Sequence, residues 1–257
     1  MLLIIKKNYH QFYTTKHLLI FNFMYNKAKR KKIMEYKKLA QDILLLNESK
    51  NDFKAPYITN CDAIKKSNDF YHFIFNGALK NIDNKTNYVY DSKLVEYEGF
   101  CKTTEFSSNG VDKVTIILPE IKSIKKVITI THEKAHAYHM LSKVKTSELV
   151  PSFLDILNAI VLDNDYPGIK VNNLNYKIKE AKKVATTYLN KHSKYSKKMQ
   201  ENYMNDFLGA IYLVNRYLLK DENITEEILK SLINKDNNLT YEDNFDISKS
   251  IEFIKKK

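Results

Sequence analysis

Apolar residues recur at three- and four-residue spacing along most of the chain, which predicts a largely helical protein. The longest such stretches are residues 34–48, 63–82, 123–144, 152–162, 172–192 and 197–220, with a shorter pair in the tail. The runs 86–92, 94–106 and 112–119 are instead β-branched and aromatic, and Asn109-Gly110 is a turn signal before the last of them. The pattern therefore predicts a mainly α (α+β) fold, in which a small β-sheet of two or three strands precedes the helix at 123–144.

Residues 34–257 are expected to form a single domain, because five glycines and four prolines leave no room for a flexible linker. The segment 1–33 differs, since its longest unbroken apolar run, Leu18 to Phe21, is far too short to span a membrane. It also lacks the order of regions found in a signal peptide. It is an uncertain extension, and three interpretations stay open: a disordered tail, a membrane-surface helix, or an untranslated stretch before a start at Met34.

The net charge of +12 raises the question of nucleic-acid binding. Arg30 and Arg216 are the only arginines, so the bidentate forks that read guanine or clamp phosphate are nearly absent. The lysines are spread throughout the chain, and we interpret them as a solvated surface. Cys61 and Cys101 form no CxxC pair, which is typical of a reducing compartment. We expect a cytoplasmic protein without a membrane span and without a nucleic-acid partner.

Candidate chemistry is concentrated in residues 132–139, which read HEKAHAYH. If Ser123 caps a helix through this segment, His132 and His136 lie one turn apart on one face. Two imidazoles at that spacing can reach one ion at about 2.0 to 2.1 Å, and HExxH is a zinc motif in which Glu133 is the general base. Bound zinc lowers the pKa of its water to about 7. The simpler alternative is a surface turn with two solvated histidines.

A catalytic zinc needs a third protein ligand. His139 lies seven residues from His132, a rise of about 10 Å, so we expect it to contact substrate or the ligands rather than the metal. Its alternative interpretation is an exposed histidine on the helix surface. We favour Glu148, twelve residues past His136, as the third ligand.

Asp155 is the runner-up ligand, because a carboxylate in the apolar stretch FLDILNAIV is costly to bury without a partner. It could instead orient one of the histidines. A third interpretation is structural, since Ser152-x-x-Asp155 is close to a capping box for a helix beginning at Ser152. In that case Glu148 would lie on the connecting turn before Pro151.

This pattern resembles the active site of the thimet oligopeptidase and oligopeptidase F family of zincins. The resemblance covers only about residues 112–220, the catalytic part, and is carried by His132-Glu133-x-x-His136-x-x-His139, Glu148, Pro151-Ser152 and Asp155. It implies a largely helical zinc metallopeptidase that holds one Zn²⁺ through His132, His136 and Glu148, with Glu133 as base and a peptide as substrate. The family usually has glycine where this chain has Ala135, and its members are more than twice as long.

The resemblance also implies a phenol or imidazole that stabilises the oxyanion from a late helix. Tyr203 is the first choice, ahead of Tyr212 and His192, although tyrosines at this spacing are more often core aromatics. In zincins an edge strand beside the motif helix pairs with extended substrate, which would give KVTIILP, residues 113–119, that role. The alternative is that 113–119 is an ordinary buried strand.

Two other functions compete with an oligopeptidase-like activity. A regulatory protease resembling the ImmA/IrrE group also pairs an HExxH helix with a preceding strand, and it would cut one protein partner rather than mixed peptides. A catalytically degenerate, zinc-stabilised binding protein would keep the fold without turnover. Glu133 argues against the latter, because a purely structural site has no use for a base there.

Overall fold

The computed structural model of the protein describes residues 34–79, 84–108, 110–145, 147–190, 196–221, 223–233 and 245–257. The segment 1–33 lies outside these residues, and with it the alternatives for the start of the chain. None of the described helices has the length and apolar character needed to cross a membrane.

The described chain is mainly helical with one small sheet, which confirms the mainly α (α+β) fold class. Helix α1 covers residues 34–44, and the other helices are α2 Asn60–Phe75, α3 Lys125–Leu141, α4 Leu149–Leu162, α5 Ile169–Leu189, α6 Lys197–Leu218, α7 Ile224–Ile233 and α8 Ile247–Lys256. The strands are β1 Thr86–Asp91, β2 Phe100–Ser107 and β3 Gly110–Pro119. The sheet lies just before α3, as the sequence pattern predicts.

The three strands are ordered β1-β3-β2, so β3 is the central strand. It pairs in parallel with β1, where Thr86 faces Val114, and antiparallel with β2, where Phe100 faces Ile117. The second half of β3 is buried throughout, because its residues are covered on both faces. The expectation that residues 113–119 form an edge strand is therefore wrong, and the alternative of a buried strand is correct.

The predicted run 94–106 is only partly a strand. Before Phe100 the chain turns, since the Glu98 amide donates to the Val95 carbonyl at 3.0 Å. Tyr97 then adopts a left-handed backbone conformation with φ of 64°, which interrupts an extended chain. Residues 92–99, which we call the strap, instead cross from the sheet toward α3 and α5.

Helix α3 is packed between the sheet and the other helices, which explains why nearly all of its surface is buried. Ile124, Val127 and Ile128 pack with the apolar residues of β3 in one hydrophobic cluster. Ala135 and Tyr138 belong to a second cluster, formed mainly by α4, α5 and α6. The helix that carries the histidines is thereby fixed from both sides.

Two of the helix boundaries that differ from the pattern have a clear local cause. Helix α2 ends at Phe75 rather than 82, because Asn76 and Gly77 adopt left-handed conformations with φ of 47° and 74°. Helix α4 begins at Leu149 rather than Ser152, since Pro151 falls in the first turn, where its missing N–H is tolerated. The capping-box interpretation of Ser152 and Asp155 is therefore wrong, because both lie inside the helix.

Candidate metal centre

Three potential ligand atoms converge where α3 meets the start of α4. The Nε2 atoms of His132 and His136 lie 3.3 Å apart. Glu148 Oε2 is 3.2 Å from His132 Nε2, and Glu148 Oε1 is 3.4 Å from His136 Nε2. Among the described residues, this is the only group of three or more His, Cys, Asp or Glu side chains whose potential ligand atoms all lie within 4.8 Å of one another.

The spacing of these atoms fits a tetrahedral ion. Ligands about 2.0 to 2.1 Å from a tetrahedral metal lie about 3.3 to 3.4 Å from each other. His132 Nε2 and His136 Nε2 are at that separation, 3.3 Å. The Glu148 carboxylate spans both nitrogens, with Oε2 3.2 Å from the first and Oε1 3.4 Å from the second. Two imidazoles and one carboxylate are also the ligand set of catalytic zinc sites, which keep the fourth position open. The three side chains therefore fit a zinc ion in both chemistry and spacing.

The charges of the cluster favour a cation. Burial raises the pKa of Glu148, but hydrogen bonds with His132 and His136 outweigh it and leave this pKa below its usual range. Burial and Lys177 lower the pKa of His132, yet hydrogen bonds with Asp155 and Glu148 outweigh them and raise it to about 9. Protons and a metal ion would compete for the same nitrogen, so metal affinity should fall as the pH falls.

Asp155 does not join the three ligand atoms but contacts His132 from the other side. Its Oδ2 lies 3.0 Å from His132 Nδ1 and 2.6 Å from Lys177 Nζ. With Nδ1 donating to Asp155, the lone pair of His132 Nε2 points to the cluster. The position of Asp155 thus matches the orienting role and not the role of a ligand.

Glu133 lies beside the cluster and is almost completely buried. The strap covers it closely: a Cβ atom on Gly99 would lie 3.0 Å from Glu133 Cγ and 2.8 Å from Thr129 Cγ2. Burial raises the pKa of Glu133, which brings a carboxylate closer to the range useful for a general base. Burial also raises the pKa of the nearby Cys101 thiol to about 12, so this thiol is no nucleophile at neutral pH.

His139 is buried against the site rather than exposed on the helix surface, so the interpretation as an exposed histidine is wrong. Only 1% of its surface is accessible, and its ring centre lies 6.4 Å from that of His136. Helix α3 continues unbroken past it, which keeps it away from the three ligand atoms. Burial lowers the pKa of His139 to about 4, so the imidazole is neutral at pH 7.

The predicted oxyanion donors differ in placement. Tyr203 on α6 is half-buried, and burial together with Glu148 raises the pKa of its hydroxyl, which keeps it a proton donor at neutral pH. Tyr212 packs on Phe245, with ring centres 5.3 Å apart, and belongs to the core. His192 lies outside the described residues.

Several residues at the site were missed by reasoning from sequence. Lys177 on α5 pairs with Asp155, and Asp206 on α6 accepts a hydrogen bond of 3.0 Å from the Glu148 amide. Tyr97 of the strap stacks on Tyr176 of α5, with ring centres 4.7 Å apart. No local signal distinguishes these residues from the other lysines, acids and tyrosines of the chain, because their roles arise only from the packing of α4, α5 and α6.

Comparison of the chain with protein-family models, with curated protein sequences and with solved structures found no match. The resemblance to the oligopeptidases therefore stays a prediction that is carried by the motif residues. The geometry of the site itself has to carry any argument about function.

Proposed function

We propose that the protein is a zinc-dependent peptidase that hydrolyses peptide bonds. The observation that carries this proposal is the convergence of His132, His136 and Glu148, whose potential ligand atoms all lie within 4.8 Å of one another, with the buried carboxylate of Glu133 on the residue after His132. A structural zinc site is usually closed by four protein ligands, whereas three ligands and a neighbouring base are typical of hydrolases. The unpaired Cys61 and Cys101 support a reducing compartment, so we propose the cytoplasm as its location.

Each residue at the site has a role in this reaction. His132, His136 and Glu148 would hold the ion, which supplies a Lewis acid that lowers the pKa of water to about 7. Glu133 accepts a proton from the attacking water and returns it to the leaving amine as the carbon–nitrogen bond breaks. Asp155 keeps His132 in the binding orientation. The Tyr203 hydroxyl donates a hydrogen bond to the developing oxyanion.

The peptide would bind along β2 rather than along β3. Strand β2 is an outer strand of the sheet, and the strap that leads into it contacts Glu133 through Gly99. An extended peptide that adds to this edge gains main-chain hydrogen bonds that are independent of side-chain identity. Broad sequence tolerance is therefore part of the proposal.

The test compares zinc content and peptide hydrolysis in three variants. Glu133→Gln should keep about one zinc per chain and lose hydrolysis of a quenched peptide library, because the amide cannot accept the proton. His136→Ala should lose the zinc as well. Glu252→Gln changes an exposed glutamate of α8 that pairs with Lys255 at 2.8 Å, and it should retain both properties.

Hydrolysis by Glu133→Gln at the wild-type rate would refute the proposed base. A wild-type protein that binds zinc and cuts no peptide would instead support the zinc-stabilised binding protein. Cleavage of one protein partner, without cleavage of mixed peptides, would support the regulatory protease. Absence of zinc from the remetallated wild-type protein would rule out the metal centre itself.

A further inference from the structure

Lys177 is a buried charge at the site that the proposed reaction does not use. It lies on α5, its side chain is 9% exposed, and its Nζ atom is 2.6 Å from Asp155 Oδ2. A buried ammonium is costly unless a charge compensates it. Burial lowers the pKa of Lys177, but Asp155 and Glu148 outweigh that effect and keep the pKa above its usual value. Lys177 is therefore a cation inside the protein.

One carboxylate oxygen of Asp155 contacts both His132 and Lys177. His132 Nδ1 lies 3.0 Å from Oδ2 on one side, and Lys177 Nζ lies 2.6 Å from it on the other. Asp155 is itself 2% exposed, so no surface water can replace a lost partner. The aspartate that orients His132 is thus held in turn by a residue from a different helix.

The charge of the site also depends on Lys177. The buried carboxylates of Glu133 and Asp155 and the partly exposed carboxylate of Glu148 lie in one region, where α3, α4 and α5 meet. A divalent ion compensates two negative charges, and Lys177 compensates the third. A histidine that binds a metal ion is neutral, so in the metal-bound protein the loss of this lysine would leave the buried Asp155 carboxylate with only a neutral imidazole as its partner.

We propose that Lys177 is a positioning residue of the metal centre, which fixes Asp155 so that His132 presents Nε2 to the ion. This inference rests on the proposed function only in taking His132, His136 and Glu148 as metal ligands. Loss of a group behind the ligands typically weakens metal affinity about 10- to 100-fold. Lys177→Met, which keeps length and removes charge, should weaken zinc affinity by that amount.

Lys170 provides a matched control. It lies on the same helix, its side chain is also 9% exposed, and it pairs with Asp163 at 3.5 Å, away from the three ligand atoms. Lys170→Met should reduce the stability of the metal-free protein but leave zinc affinity unchanged. Lys177→Arg keeps the charge and should retain most of the affinity.

A double variant separates positioning from general damage. In Lys177→Met with Asp155→Asn, the amide oxygen still accepts a hydrogen bond from His132 and needs no cation. The double variant should therefore bind zinc more tightly than Lys177→Met alone. A purely structural role for the lysine predicts no such recovery.

The experiment measures zinc dissociation constants by chelator competition and the visible absorption of the cobalt-substituted proteins, since cobalt accepts the same ligands. We expect weaker binding and an altered cobalt spectrum for Lys177→Met and neither change for Lys170→Met. Equal zinc affinity and equal cobalt spectra for these two variants would overturn the inference and leave the peptidase proposal intact. Should Lys177→Met not fold, Lys177→Gln takes its place, and an unchanged zinc affinity and cobalt spectrum for Lys177→Gln would overturn the inference.

The two proposals fail in different ways. If the wild-type protein binds zinc with an affinity that depends on Lys177 but hydrolyses no peptide, the peptidase proposal is refuted and the positioning role of Lys177 is supported. A wild-type protein that binds no zinc would overturn both.

Discussion

His139 should make the protein sensitive to mild acid. The unfolded chain protonates this histidine below about pH 6.5, whereas the folded protein keeps it neutral because burial lowers its pKa to about 4. Protons then bind more strongly to the unfolded state, so stability falls as the pH drops from about 6.5 toward 4. Above about pH 6.5 the histidine is neutral in both states and the effect vanishes.

The magnitude follows from the two pKa values. Each pKa unit corresponds to about 1.4 kcal/mol, so the full difference between 6.5 and about 4 is worth about 3 kcal/mol. Between about pH 8 and about pH 5, the part that is reached is about 2 kcal/mol. His139 is only 1% exposed, so solvent does not screen this term appreciably.

The assay is urea unfolding of the metal-free protein at a series of pH values, for wild type and for His139→Leu. All other titrating groups are common to both proteins, so the difference between their stabilities isolates His139. That difference should shift in favour of the variant by about 2 kcal/mol between about pH 8 and about pH 5. His72→Leu, at an exposed histidine of α2, controls for the substitution itself. Parallel pH profiles of wild type and His139→Leu would refute the reasoning.

Two further predictions concern residues that touch the site from other elements. Gly99→Ala places a methyl group 3.0 Å from Glu133 Cγ, which should displace this carboxylate and lower kcat about tenfold without loss of zinc. Peptide hydrolysis measures kcat, and metal analysis measures the zinc content. An unchanged kcat would contradict the importance of this contact. Burial raises the pKa of Asp206 to about 6, so the contribution of Asp206 to stability should fall as the pH rises from about 4 to about 6, opposite in sign to that of His139. The shift corresponds to about 3 kcal/mol, and the partial exposure of Asp206 reduces it. Asp206→Asn still accepts a hydrogen bond from the Glu148 amide and should therefore stabilise the metal-free protein at pH 7 by about 1 to 2 kcal/mol in urea unfolding, whereas a loss of stability would show that the charge is needed.

The helices could be predicted because each buries a stripe of apolar residues at helical spacing. The predicted helix 172–192 corresponds to α5, Ile169–Leu189, and 197–220 corresponds to α6, Lys197–Leu218. Their ends depend on single residues, such as Ser196, whose hydroxyl accepts the Met199 amide before α6. The strand order was not predictable in the same way, because the apolar pattern of β3 fits a central strand and a covered edge strand equally well.

The two candidate ligands on one helix could be placed from sequence, since the i, i+4 spacing of His132 and His136 fixes their relative position. Glu148 required knowledge of how α4 returns toward α3, which the motif suggests only by resemblance. Lys177 and Asp206 could not be placed at all, because their partners lie 22 and 58 residues away in the chain. Such contacts exist only once the helices have packed.

Burial of charge does not by itself identify the site. Lys134, inside the HExxH motif, is fully buried, yet its Nζ atom lies 2.6 Å from Asn68 Oδ1 and over the ring of Tyr71 at 4.8 Å. Those contacts compensate the charge and lead to no open ligand position. His132 differs because the connected contacts of Lys177 and Asp155 end on its Nδ1 atom, while its Nε2 atom on the other side of the ring faces His136 and Glu148. A buried polar network that converges on potential metal ligands costs stability on its own, and an ion bound by those ligands would offset that cost.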